Sequence, residues 1–290
     1  VFVRGSLYII VALALTFSAC QKESEVISGN VAMSDPTVSL TQIRQYVQKV
    51  YLAILGTSPV DSILDNEIYS LARTNCSPDS RAELLNRLFA MPAFKSNLYT
   101  IKNDQLLGGM SVDDINDIID DIQDDLNTPG TSIDEVRLQE ELAAMQRLRS
   151  AKQEYTAGTI TLVEVQKRMT ESVAFYYANG SGNSWIDAVY TNFLFRLPTN
   201  DERDQINTML SGFPGYLFLQ TGSSTNDFIQ IFFSSSSFLE GQVREQFRNN
   251  LFREPTTSEL LNYSNLFRSN NDHQQLMRQI FLSNEFLRGN

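Results

Sequence analysis

Apart from carboxylates, few side chains here could do chemistry: one histidine and two cysteines stand beside 34 Asp and Glu. His273 lies in the polar run 269–275. Zinc sites draw on several His or Cys ligands, and a Ser or Cys nucleophile usually works against a His base. A lone histidine in a polar turn provides neither, so His273 is expected to be a solvated loop or helix-cap residue. Cys76, followed by Ser77 and Pro78, sits at a helix start. It reads as a reactive thiol or as a half-buried structural cysteine, with the structural role favoured. Asp113, Asp114, Asp117, Asp120, Asp121, Asp124 and Asp125 suggest a calcium site at first sight. An EF-hand loop, however, alternates its acids around a central Gly and closes on Glu. That spacing is missing, and a helix would turn these acids outward as a solvated face. Gly108-Gly109 and Gly180–Gly182 lack the lysine and the spacing of a phosphate loop. Arg196 and Arg253 are candidates for anion binding. The favoured alternative is structural, each bonding the last carbonyls of its own helix. No catalytic, cofactor or metal residues are expected from this inventory.

The elements that must position these residues are helices. Helical periodicity runs along nearly the whole chain, and period-two alternation is scarce, so the expected fold class is all-α. Three stretches repeat. Tyr51, Tyr190 and Phe247 each stand eight residues before a proline, and Leu55, Leu194 and Leu251 four before it. Those prolines are Pro59, Pro198 and Pro255. The four-residue separation places aromatic and leucine on one helix face, so each unit opens with an amphipathic helix ending near a proline. Thr199 with Glu202, and Thr256 with Glu259, have capping-box spacing for the next helix; Val60 breaks it in the first unit. Each unit closes on an aromatic pair: Phe89 and Phe94, Phe233 and Phe238, Phe281 and Phe286. Opening and closing aromatics are expected to pack together, because a helix pair alone is too small to bury its own stripe.

The stretch between the first two units reads as an inserted helical hairpin plus one helix. Val112, Ile115, Ile118, Ile119, Ile122 and Leu126 form the inner stripe of its first helix. Ser132 and Glu135 are expected to cap the second, with Ile133, Val136, Leu142, Met145 and Leu148 inward, and Thr161 and Glu164 the third, reaching Tyr177. The expected organisation is a signal segment 1–19, a lipidated cysteine with flexible tether 20–38, unit 1 at 39–100, the acidic hairpin region 101–183, unit 2 at 184–240 and unit 3 at 241–290.

Two resemblances attach to these residues. Arg4, an apolar run over 7–17 and Ser18-Ala19-Cys20 have the layout of a secretory signal. The run is short of the roughly 20 apolar residues a spanning helix needs. The stretch resembles the lipobox of bacterial lipoproteins, which implies lipidation of Cys20; an ordinary signal peptide with an incidental cysteine is the alternative. Lys22, Glu23 and Glu25 resemble the export tag of Bacteroidota surface lipoproteins, which implies an outward-facing protein. A charged linker is the plainer reading. The aromatic-x-x-x-Leu-x-Arg-x-Pro helix with its Ser-x-x-Phe close resembles the repeat of DUF4214-type domains, and the likeness covers about half of the chain in three pieces, the first of which departs from it with Gly56 in place of Phe and Thr57 in place of Arg. That likeness implies a helical binding or scaffolding role and supplies no catalytic residues.

A net charge of −11 opposes nucleic acid, whose phosphates need a basic face, and opposes an anionic lipid surface as main partner. The expected protein is an outer-membrane lipoprotein, held by its N-terminal lipid and binding a protein or glycan at the cell surface. A glycan hydrolase using paired carboxylates is a further reading, although Trp185 is the one tryptophan available to line a cleft. A periplasm-facing assembly lipoprotein is another.

Overall fold

The structure is a computed structural model, and it describes residues 37–128 and 134–289. The described residues form an all-α body of fifteen helices with one short hairpin. Cys20, Lys22, Glu23 and Glu25, with the expected signal and the expected tether up to residue 36, lie outside the described residues; Val38, at the end of that tether, packs against the core.

Helix α1 (Leu40–Leu55) shows how the sequence builds the body. Ser39 caps it and Gln42 returns the bond, so the first orphan N–H groups are satisfied. Ile43, Tyr46, Val47, Val50, Tyr51 and Ile54 recur at three- and four-residue steps and are buried. Gly56 ends the helix with φ 73°, the left-handed conformation that costs glycine nothing. Three residues after that cap, Pro59 and then Val60 lead into α2 (Asp61–Ala72). Val60 makes no side-chain cap bond, as the missing box requires.

The same order recurs. Helix α9 (Asn183–Leu194) stops at Phe195 with φ 57° and passes through Pro198 to the Thr199–Glu202 box of α10 (Asn200–Leu210). Helix α12 (Ser236–Leu251) stops at Phe252 with φ 55° and passes through Pro255 to the Thr256–Glu259 box of α13 (Thr257–Arg268). All three prolines thus occupy one place, four residues beyond the last helical residue and immediately before the next N-cap.

The closing aromatics mark joints between helices. Phe89 ends α3 (Pro78–Phe89), and Phe94 lies in α4 (Pro92–Leu107). Ser235 separates α11 (Thr225–Ser234) from α12, its hydroxyl donating to the Phe232 carbonyl and accepting from the Phe238 N–H. Ser283 caps α15 (Asn284–Arg288) after α14 (His273–Phe281). Ring centroids across the three joints lie 4.9, 4.8 and 4.7 Å apart. The six named aromatics are all buried. Among the ring contacts, however, Tyr190 packs on Phe218 and Phe232, and Phe247 on Tyr263, while Phe238 meets Phe193 and Phe286 meets Tyr46. The expected opening-to-closing pairing is not among these ring contacts: Phe238 meets Phe193, three residues beyond Tyr190, and Phe286 meets Tyr46 of the first unit instead of Phe247.

The units share helices. Helix α4 runs across the boundary expected at residue 100, and α12 across the one at 240. The middle stretch follows the common order too. Helix α4 has 16 residues, as α1 and α12 do, and stops at Gly108 with φ 65°. A Ser111–Asp114 box then opens α5 (Val112–Asn127). Ser172, like Ser235, forms a joint, separating α7 (Leu162–Glu171) from α8 (Val173–Asn179). The third middle helix therefore breaks at Ser172 instead of reaching Tyr177, although Thr161 caps it as expected. Helix α6 (Glu135–Ala157) is capped by Asp134; Ser132 and Ile133 lie outside the described residues. Val112 and Val136, expected inward, are 52% and 64% exposed, because each sits at a helix start beyond the reach of its neighbours.

Hairpin β1 (Gly215–Leu217) and β2 (Gln220–Gly222) pair antiparallel, Gly215 opposite Gly222. A Cβ on Gly215 would sit 2.4 Å from the Gln205 carbonyl oxygen, so the hairpin lies directly on α10. One continuous core runs from Ile43 to Leu287. It closes on itself: Phe286 of α15 packs edge-on against Tyr46 of α1 at 5.8 Å. Buried Arg81 donates to the Ser283 carbonyl at 3.1 Å and the Asn284 side chain at 3.3 Å.

Candidate functional site

An open groove of about 340 Å³ lies where α1, α4, α7, α12, α14 and α15 converge. Leu98, Ile101, Leu162 and Met277 supply apolar wall, and Gln246, Asn249 and Asn250 supply amides. Phe252 stands at its edge, 85% exposed, because the left-handed cap turns its ring off the helix. Lys49 donates to the Phe286 carbonyl and lies 4.5 Å from the centre of that ring.

The polar floor comes from charges set into apolar helix faces. Lys102 shares its face of α4 with Phe94, Leu98, Tyr99 and Leu106, and Glu245 sits among the buried residues of α12. The two form an ion pair with side chains only 5% and 8% exposed. Lys102 also donates to Gln105 Oε1 at 2.9 Å. Beside the pair, Gln242 Oε1 accepts from Gln166 Nε2 at 3.1 Å and lies 3.0 Å from His273 Nε2.

His273 is therefore not the solvated residue its polar neighbours suggest. It is 4% exposed, the first residue of α14, and its ring meets Phe267 edge-on at 4.7 Å. Asp272 takes the cap position by accepting from the Gln274 and Gln275 N–H groups, which turns the next side chain inward. Burial, reinforced by the Lys102 charge, lowers its pKa to about 3. The folded protein keeps this ring neutral down to about pH 3, whereas the unfolded chain takes up the proton near an ordinary value of about 6.5. Between these values the unfolded state binds more protons, so this contribution is complete above about pH 6.5 and is lost as pH falls. At pH 5 the loss is about 2 kcal/mol, at ~1.4 kcal/mol per pH unit. Urea unfolding of His273→Gln should show a smaller stability drop between pH 7 and pH 5 than the parent. Equal drops in both proteins would exclude the imidazole as the source.

The arginines expected to cap their own helices do something else. Arg196 forks onto Glu202 with distances of 2.7 and 2.6 Å. Arg253 forks onto Glu259 at 2.9 and 2.7 Å and reaches Glu285 at 2.5 and 2.6 Å. The left-handed residue before each arginine turns it away from its own helix and towards the capping box of the next, where a fixed guanidinium fork matches a carboxylate. Arg253 and the capping bonds hold the Glu259 carboxyl down at about 2. Both guanidinium groups thus serve as clasps across the helix–proline–helix turn.

Comparison with protein-family models, with curated proteins and with solved structures finds no match for this chain. Cys76 is buried with its thiol pushed up by that burial, which makes it less reactive. The seven aspartates of α5 are all exposed. Sequence reasoning missed the groove floor, although Lys102 and Glu245 left a signal as single charges within apolar stripes.

Proposed function

We propose that the chain is an outer-membrane lipoprotein that faces outward, carries acyl chains on Cys20 and binds its ligand in the groove between α1, α4 and α12. The observation that carries the binding reading is the Lys102–Glu245 pair at the floor of an open cavity. Dehydrating two charges offsets most of what their attraction contributes, so a buried pair is a poor stabiliser. Set in a cavity with apolar walls, it is suited to orient one polar group of a compact, mostly apolar ligand. The repeated helix–proline–helix turn supports a rigid scaffold of the kind that the DUF4214-type resemblance implies. The anchor reading is supported by the residue order from Arg4 to Glu25.

One set of variants tests it. Cys20→Ser should abolish incorporation of labelled palmitate and release the protein from the membrane. Replacing Lys22, Glu23 and Glu25 with Ala should leave the protein membrane-bound but shielded from external protease. Retention of Cys20→Ser at the parent level would sink the anchor, and unchanged protease access would remove the tag. Ala53→Trp, which fills the groove, should lose any small molecule seen on the parent by native mass spectrometry; an undiminished complex would place the ligand elsewhere.

A further inference from the structure

The hairpin over residues 213–222 presents large apolar side chains to solvent. Phe213 is 65% exposed, Tyr216 54% and Leu219 85%. The turn between the strands has two residues, Phe218 and Leu219, with φ 47° and 65°. Such a turn needs positive φ at both positions and is ordinarily made by Asn-Gly or Gly-Gly. Two bulky residues held there are strained. The strain is fixed from below: Phe218 stacks against Tyr190 at 6.4 Å and packs on Phe232 at 6.2 Å. Gln205 accepts the outward Tyr216 N–H at 2.8 Å, which occupies that position on the β1 edge. The core thus grips Phe218 and holds Leu219 outward.

Charge tells what meets this tip. Residues 205–226, between Asp204 and Asp227, carry no charged side chain and form the longest uncharged run in a chain of net charge −11. A docking site for a soluble protein keeps a polar rim that fixes register. It also needs roughly 800 Å² on each side, while three side chains of about 150–250 Å² each, only partly exposed, offer on the order of 400 Å². A hairpin without charged side chains that exposes Leu219 at its turn, Tyr216 on its first strand and Phe213 just before its base suits a bilayer interface, where Tyr places its ring at headgroup level.

We propose that this hairpin is a membrane-interface contact: Phe213, Tyr216 and Leu219 enter the headgroup–acyl boundary of a zwitterionic lipid surface and set the orientation of the body on the membrane. Nearness to a bilayer rests on the Cys20 reading; insertion of the tip stands on the hairpin alone. The test uses the full chain carrying Leu219→Trp, mixed with phosphatidylcholine vesicles whose acyl chains are plain or brominated. Trp185, 1% exposed in the core, supplies a background that the parent protein measures. The substitution keeps a non-glycine residue at the strained position, so the backbone demand is unchanged. Bromine should quench the introduced indole at least twofold relative to plain vesicles, and vesicles should cut its quenching by aqueous iodide several-fold. Phe213→Trp should report the same, and Tyr216→Asp placed beside either probe should abolish the effect. An indole that stays iodide-accessible and bromine-insensitive overturns the proposal, whether or not the chain floats with the vesicles. So does a concentration-dependent blue shift without lipid, which would make the tip a contact between copies. Loss of palmitate on Cys20 with the quenching intact would remove the anchor and leave the tip.

Discussion

Gly241→Ala should lower the melting temperature by about 6–12 °C or prevent folding, in the range expected when about 3 kcal/mol is lost from a domain of this size. The reason is a close crossing of α9 and α12. A Cβ on Gly241 would lie 1.8 Å from the Phe193 carbonyl oxygen and 3.0 Å from its carbon. Those are backbone atoms of a helix end, so they cannot rotate aside as a side chain would. One added methyl must push two helices apart along the densest aromatic part of the core, where Phe193 meets Phe232, Phe233 and Phe238. Overpacking a well-filled core ordinarily costs about 1–3 kcal/mol, occasionally more, and a clash with fixed backbone belongs at the top of that range. Thermal unfolding by circular dichroism measures it. Asn249→Ala, on an exposed position of the same helix, is the control and should stay within about 0.5 kcal/mol of the parent. A Gly241→Ala protein as stable as that control would mean that the two helices cross less closely.

The sequence disclosed the parts of the fold that depend on local chemistry. Capping boxes at Thr199 and Thr256 formed as their spacing requires, and Val60 failed to cap, because a cap bond is decided within four residues. The aromatic pairs at the joints were legible for the same reason. What was not legible depends on which helix faces which. The polar neighbours of His273 said solvent, yet the N-cap bonds of Asp272 turn it into the core. Arg196 and Arg253 were expected to serve the helix they follow, but a left-handed residue between helix and arginine redirects each to a carboxylate six positions on. The middle stretch looked foreign because its αL stop is Gly108 and its box is Ser111–Asp114, with no proline between them. The geometry recurs where the residue types do not. Lys102 and Glu245, 143 residues apart in sequence, meet only because α4 and α12 line the same groove, and no local pattern announces that.

Phe286→Ala should cost about 3–5 kcal/mol, the range for removing a buried phenyl ring. Here the end of the body packs against its beginning. The ring is 3% exposed, 4.7 Å from Phe281 and 5.8 Å from Tyr46, with the Lys49 ammonium 4.5 Å from its centre. Removing it leaves a cavity between α1 and α15 that the short α15 cannot refill by sliding, since Arg81 holds Ser283 and Asn284, and Arg253 holds Glu285. The loss should therefore appear at both ends of the sequence. Amide exchange should accelerate over Ile43–Ile54 of α1 as well as in α15, and the equilibrium midpoint in urea should fall accordingly. Asp124→Ala, on the exposed face of α5, should change stability by less than about 0.5 kcal/mol. Faster exchange confined to α15, with α1 protected as before, would mean that the body does not close through this ring. So would a stability loss no larger than that of Asp124→Ala, since a ring that bridges two helices cannot be removed at the cost of a surface side chain.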